Sequence, residues 1–383
     1  MAVVIKQFGA SYRARFAMPA SHLKAMEAIE RCRTPALGGH VLECSSCQVQ
    51  DYAYHSCRHR SCPKCMQQEA QEWLEARRRE LLPVPYFHVV FNVPEQLHRI
   101  IREHQSVLYP VLMRAAAGTL HKVGADPKYL GGTIGAMSML HTASRTLIYH
   151  PHVHCLVPAG SVDELGQWRA AKRPYLAPEK VLAEVFRAKL LAMMSAAVKG
   201  LQLPGSVLDS SDISWNVHVD QPKHGTETVL RYLARSIHRG PLSNHRILEV
   251  TDTDVVFQYR DRDRRKWRTM TLTGHEFLRR FLQHVWPDRI HKVRYFGLWS
   301  RKSQGQLEAL RQRLLAAAAP VADPAPVART EGAVTSDPTP PHWLRCPHCN
   351  GQRIILCRFD PGTSPPPLRA AGSTASPRAT GPP

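Results

Sequence analysis

The alternation of strand-type and helix-type patterns predicts an α+β fold: a mainly antiparallel sheet flanked by helices, behind a small cysteine-rich domain and ahead of a Pro-rich disordered tail. Three observations carry this. Strands and helices mix along residues 84–300 without strict βαβ alternation, which argues against a parallel sheet. Six of the ten cysteines fall between Cys32 and Cys65 and three between Cys346 and Cys357, with Cys155 alone. Of the 30 prolines, 14 lie in residues 320–383, a composition of linkers rather than of packed structure. With 43% hydrophobic and 21% charged residues among 383, there is apolar material for real cores, and full-length disorder is excluded.

Each element follows from its local pattern. Residues 21–31 read as an amphipathic helix with Ser21 as N-cap. Residues 66–82 are charged and helical, stopped by Pro83 and Pro85. Tyr86 to Val93 is a β-branched and aromatic run, hence a buried strand. A helix is expected over Glu95 to Lys122, then strands over Thr133 to Leu140 and Arg145 to Val157. Pro178 to Lys199 reads as a long helix, Ile213 to Val219 as a strand and Thr226 to Arg239 as a short helix. Strands are expected over Arg246 to Tyr259 and Trp267 to Leu272, and helices near Gly274 to Val285 and Gln304 to Ala319. The expected organisation is therefore a cysteine-rich domain over 1–83, a central domain over 84–300 and a helix over 301–319. A flexible linker over 320–341, a candidate metal knuckle over 342–358 and a disordered tail over 359–383 complete it.

A formal net charge of +20 favours a polyanionic partner, nucleic acid first and an anionic membrane surface second. No run of about 18 apolar residues exists, so no membrane-spanning helix is expected. No long apolar stretch precedes Arg13 and Arg15, so a signal peptide is not expected and the chain is assigned to the cytoplasm, with the nucleoid. Ten cysteines in such a chain point to metal rather than to disulfides.

Cys44-x2-Cys47 and Cys62-x2-Cys65 are two C-x2-C pairs at ribbon-like spacing, and together they predict one structural four-thiolate Zn²⁺ site. Cys32, His40, Cys57 and His59 lie in the same stretch and either complete a second metal site or pack. A zinc deaminase is excluded, because His59 is followed by Arg60 and Ser61 and not by the required glutamate. Near the C-terminus, Cys346-x2-Cys349 with Cys357 has one pair and an incomplete ligand set, so a metal knuckle and a remnant are both open.

His150-Pro151-His152-Val153-His154 lies on a predicted strand, where residues i and i+2 share a face. His152 and His154 therefore point together and can hold one divalent metal, while Val153, Cys155 and Val157 face a core. On the helix of Thr226 to Arg239, Val229, Leu230, Leu233 and Ile237 make the apolar face, and Arg231, Arg235 and Arg239 recur every four residues. Tyr232 and Ser236 sit on the border, where a tyrosine can meet a backbone phosphate held by the arginines.

In this order the motifs resemble bacterial rolling-circle insertion-sequence transposases of the His-hydrophobe-His (HUH) tyrosine class with an N-terminal zinc-binding domain. The resemblance spans about residues 20–300. It rests on Cys32-Arg33-Thr34, Leu37-Gly38-Gly39-His40, the segments Cys44 to Cys47 and Ser56 to Cys65, Pro85 to Phe91, His150 to His154, Tyr232-Leu233-Ala234-Arg235 and Arg294-Tyr295-Phe296-Gly297. It implies an HUH-type central domain in which His152 and His154 bind the catalytic metal, Mg²⁺ or Mn²⁺, and Tyr232 is the nucleophile. It also implies cleavage and rejoining of single-stranded DNA or hairpin ends through a 5′-phosphotyrosine intermediate. Relatives often carry a second tyrosine where this chain has Ser236, so strand transfer must reuse Tyr232 or recruit a second chain as a homodimer. Thr142-Ala143-Ser144-Arg145 likewise departs from the Trp-Gly-Gln usual there. His141, His88 and His238 are candidates for a third metal ligand. The competing readings are a rolling-circle replication initiator or relaxase, and a non-catalytic zinc-ribbon DNA-binding protein.

Overall fold

A computed structural model describes residues 1–173, 176–209, 215–223, 230, 240–261, 266–318 and 344–369. In chain order, the first part comprises helices α1 (Ala2–Arg15) and α2 (Ala20–Arg31), strands β1 (Gly39–Cys44) and β2 (Gln50–Tyr54), and helix α3 (Gln67–Glu80). The middle comprises β3 (Tyr86–Asn92), α4 (His98–Glu103), α5 (Gln105–Ala125), β4 (Gly135–Ala143), β5 (Tyr149–Pro158), β6 (Gly160–Val162), β7 (Trp168–Ala170), α6 (Glu179–Ala197), α7 (Gly205–Leu208) and β8 (Val217–Lys223). Then follow β9 (Ile247–Val250), β10 (Asp254–Arg260), β11 (Trp267–Thr273), α8 (Gly274–Leu282), β12 (Val293–Gly297), α9 (Gln304–Ala318) and β13 (Arg353–Phe359).

The central sheet has the order β12-β4-β5-β3-β8, and every neighbouring pair is antiparallel. Its two faces differ because the strands alternate. Phe87, Val89 and Phe91 of β3 and Val153, Cys155 and Val157 of β5 are fully buried in one core, with the facing residues of α5 and α6. The opposite face is divided along its length. Tyr86, Met137, Met139 and Leu156 lie in an apolar cluster with Leu74 of α3 and Leu307 and Leu310 of α9. The other end carries histidines. Gly297, at the end of β12, has φ +59 and no room for a Cβ against the Ile134 carbonyl, so glycine is required there.

A second core joins the two ends of the described chain's first 300 residues. Val4, Ile5, Phe8 and Tyr12 of α1 pack with Met26 and Ile29 of α2, with Val255 and Phe257 of β10 and with Phe277 and Phe281 of α8. The antiparallel sheet β11-β10-β9 belongs to this unit. The third sheet, β13-β1-β2, pairs the cysteine-rich segment with the C-terminal strand.

Several boundaries differ from the sequence reading. Helix α1 lies outside the elements expected from local pattern, although its buried residues 4, 5, 8, 9 and 12 trace a helical stripe. Helix α2 starts at Ala20 behind Pro19, so Ser21 is inside the first turn and does not cap it. The helix expected over 95–122 breaks at His104, whose φ −118 and ψ 36 are non-helical. The strand expected from Arg145 starts at Tyr149, because Leu147 has φ +63 and turns the chain. Residues 246–259 split into β9 and β10 at a turn where the Thr251 amide donates to Asp254 O. Residues 360–369, expected to be tail, run beside β2: Tyr52 Oη donates to Pro366 O at 2.6 Å and the Arg369 amide to Gln50 Oε1 at 2.8 Å. The helix expected over 226–239 lies outside the described residues, apart from Leu230, as do the linker 320–341 and residues 370–383.

Candidate active site and metal centres

The antiparallel register explains the histidine face. His152 on β5 sits opposite His141 on β4 and Asn92 on β3, and His154 sits opposite Met139 and Val90. The ligand atoms of His141, His152 and His154 all lie within 4.8 Å of one another. His141, one of three candidates for a third ligand, is thus brought to the pair, and His238 lies outside the described residues. His88 is two residues further along β3 on the same face and stacks on His154 with ring centroids 5.0 Å apart.

Burial sets the protonation of this cluster. It pushes His152 down to about 4, and it pushes His141 and His154 well below the usual histidine range, with the neighbouring imidazoles adding to the effect. All three are neutral near pH 7 and offer lone pairs. His152 Nδ1 donates to its neighbour's carbonyl, His150 O, at 2.7 Å, which places its lone pair on Nε2. Behind His154 runs a chain of contacts: His154 Nδ1 lies 2.8 Å from His88 Nε2, and His88 Nδ1 lies 2.8 Å from Asp220 Oδ2 on β8. Burial raises the Asp220 carboxyl, but the hydrogen bonds and charge interactions with His88 and His218 together outweigh it and hold the group below its ordinary value. Asp220 accepts from His88 Nδ1, and in the tautomer in which His88 Nε2 accepts from His154 Nδ1 the His154 lone pair is on Nε2. Neither Asp220 nor its role was visible in the sequence, because only the β3–β8 register, His88 opposite Asp220, joins them.

Beside His141 opens a cavity of about 520 Å³, lined among others by Arg145, Arg246, Lys292, Trp267 and Trp286. Lys292 is pushed down to about 8 by burial and lies 5.2 Å from the Trp286 ring centre. His284, on the same wall, is pushed down to about 4 by burial; its Nε2 donates to Leu147 O at 3.1 Å and its Nδ1 lies 3.2 Å from Thr142 Oγ1. It anchors the turn between β4 and β5, the strands that carry all three histidines of the cluster.

The cysteines are grouped differently from the sequence reading, which joined Cys44 and Cys47 to Cys62 and Cys65. Cys62 and Cys65 instead gather with Cys32 and Cys57. Cys32 ends α2, and its Sγ is 3.3 Å from that of Cys65, which is 3.7 Å from Cys57 Sγ. Cys44 and Cys47 gather with Cys346 and Cys349. The reason is strand pairing: β1 has β2 on one side and β13 on the other, with Cys44 opposite Arg353, so the C-terminal knuckle arrives at the end of β1. His40 belongs to neither group; its Nε2 donates to His55 Nε2 at 3.1 Å, since His55 Nδ1 donates to Leu37 O. Cys357 is exposed on β13, opposite Val41. A tetrahedral four-thiolate zinc site has Zn–S bonds of about 2.3 Å and hence S···S edges of roughly 3.8 Å. The observed spacings are close to that edge and far longer than the roughly 2.05 Å of a disulfide.

Comparison with known proteins decides the family. Residues 135–306 match the family described as "Putative transposase", and residues 4–93 match the IS91-type "Transposase zinc-binding domain". The "Putative transposase y4qJ" of Sinorhizobium fredii is 36% identical over 389 residues, covering 96% of this chain and 97% of its own. The chain belongs to the rolling-circle insertion-sequence transposases. The "Transposase for insertion sequence element IS801" of Pseudomonas savastanoi pv. phaseolicola is 28% identical over 293 residues, covering 72% of this chain and 69% of its own. Among solved structures, the conjugative relaxase TrwC in complex with oriT DNA, metal-free, aligns at 15% identity over 59% of this chain and 71% of its own. Its TM-score of 0.26 is too low to carry an argument. For this transposase, a zinc-binding domain and action on DNA follow from the family. Among the described residues no helix is long and apolar enough to cross a membrane.

Proposed function

We propose that this transposase nicks and rejoins single-stranded DNA at a divalent metal held by His141, His152 and His154, with Tyr232 as nucleophile. The observation that carries the reading is the convergence of three neutral imidazoles on one face of the sheet, His154 buried and His141 and His152 half-buried. The donor set fits a divalent ion, and an all-imidazole set favours Mn²⁺ over the harder Mg²⁺. When bound, the ion polarises the scissile phosphate and stabilises its developing charge. His152 is held by its bond to the His150 carbonyl, and His154 by His88 and Asp220, so both rings are oriented before an ion arrives.

The nucleophile is assigned from the tyrosine motif in the sequence. Tyr232 Oη forms a bond to the phosphorus as the bond from phosphorus to O3′ breaks. The phenolic proton ends on the released 3′ oxygen. The product is a 5′-phosphotyrosine and a free 3′-OH, and the reverse attack rejoins a strand without ATP. Arg231, Arg235 and Arg239 supply positive charge for the phosphates. The cavity beside His141, with Arg145, Arg246, Lys292 and two tryptophans, suits a single strand, whose backbone needs cations and whose bases stack on aromatics. Cys32, Cys57, Cys62 and Cys65 hold one structural Zn²⁺ that pins the end of α2 to the knuckle before α3. A single tyrosine serves both strand cuts in turn or is complemented by a second copy in a homodimer.

The test is a nicking assay on labelled single-stranded transposon ends with Mn²⁺ or Mg²⁺. His141→Ala, His152→Ala and His154→Ala should each abolish nicking while leaving the circular dichroism spectrum unchanged. Nicking that persists in these variants would make the histidine face structural.

A further inference from the structure

We infer that the chain holds a second four-thiolate zinc site, built from Cys44 and Cys47 near its start and Cys346 and Cys349 near its end. The match to the zinc-binding domain stops at residue 93 and so contains only half of it. Cys44 Sγ is 3.4 Å from Cys349 Sγ, Cys47 Sγ is 3.6 Å from Cys346 Sγ, and all four sulfurs lie within 4.8 Å of one another. These spacings approach the roughly 3.8 Å edges of a zinc-centred tetrahedron.

The backbone gives an independent reason. The two C-x2-C turns have the same construction. The Gln48 amide donates to Cys44 O at 2.9 Å, and the Asn350 amide donates to Cys346 O at 2.9 Å. The Cys44 amide donates to Val49 O at 3.1 Å, and the Cys346 amide donates to Gly351 O at 2.8 Å. Gln48 and Asn350, each one residue after the second cysteine, have φ +58 and +59, a left-handed conformation that costs about 1 kcal/mol or more outside glycine. Two turns far apart in sequence thus adopt one uncommon shape and face each other. Gly351 is part of the fit, because a Cβ there would come 2.6 Å from Ser46 Oγ and 3.2 Å from Cys349 Sγ.

The centre closes a loop of about 300 residues, joining sulfurs 299 and 305 positions apart. Closing so long a loop is costly in chain entropy, and a metal clip offsets it. The clip holds β13 on β1, so the zinc-binding domain is a composite of both ends of the chain around the nuclease sheet.

The test counts zinc by elemental analysis in full-length protein carrying His152→Ala and His154→Ala, so that zinc at the imidazoles is not counted. Two zinc ions per chain are expected, falling to one in Cys346→Ser/Cys349→Ser. A second measurement covers poor folding of that variant. A protease site is inserted between Thr335 and Ser336 and cut in the parent protein. The C-terminal fragment should co-elute with the rest and separate when a zinc chelator is added. One zinc in the parent, two in the cysteine variant, or a fragment that separates without chelator would each overturn the site.

Discussion

At the scale of single residues, the site is a set of clustered imidazoles, one buried and two half-buried, with His152 and His154 oriented from behind. Asp220 touches none of the three clustered histidines directly; it reaches His154 through His88. Asp220→Asn should weaken Mn²⁺ binding by about 10- to 100-fold, measured by calorimetry on the protein alone. Unchanged affinity would mean the chain from Asp220 to His154 orients nothing. His284 yields a prediction on stability. Its folded pKa of about 4 lies below the unfolded 6.5, so the unfolded chain binds more protons between these values. Its contribution is therefore present above pH 6.5 and is lost as pH falls toward 4, on the order of 3 kcal/mol in all. Urea midpoints across that window should fall less steeply with acid in His284→Gln than in wild type. The paired His152 and His154 were legible in the sequence because a strand's period of two puts them together. His141 was only one of three candidates, since choosing it requires the β4–β5 register, which a turn with Leu147 at φ +63 determines.

At the scale of elements, most strands and helices were legible because their periodicity is strong: β3, α6 and α8 fall within a few residues of their expected positions. What escaped was set by distant partners. Helix α1 is weakly amphipathic by sequence and is defined by packing against α2, β10 and α8. Strand β13 was read only as the surroundings of an incomplete knuckle, and its partner β1 lies some 300 residues earlier. The same limit caused the wrong pairing of cysteines, because spacing along the chain cannot report which knuckles meet. The element carrying Tyr232 gives a sharp expectation. Tyr232→Phe should abolish the covalent DNA adduct while leaving DNA affinity intact, since it removes one oxygen and keeps the ring. Ser236→Ala should form adduct at the wild-type level, because a serine there has no phenol to contribute. Loss of adduct in Ser236→Ala would show that the second position takes part.

At the scale of the whole molecule, the α+β class, the antiparallel central sheet and the basic surplus were all readable. A net charge of +20 on a chain that grips a DNA backbone predicts binding that weakens with salt. The logarithmic slope should be about −0.7 per phosphate neutralised on single strands, measured by fluorescence anisotropy. Salt-independent binding would contradict an electrostatic grip. The central claim, that three histidines and one tyrosine form a single strand-cutting centre, is tested most directly by isolating the covalent product. Wild-type protein is incubated with a labelled single-stranded transposon end and Mn²⁺, digested, and the DNA-linked peptide is sequenced by mass spectrometry. The account predicts a 5′-phosphate on Tyr232, and no adduct in His141→Ala. A linkage on any other residue, or an adduct that forms undiminished in His141→Ala, would contradict it.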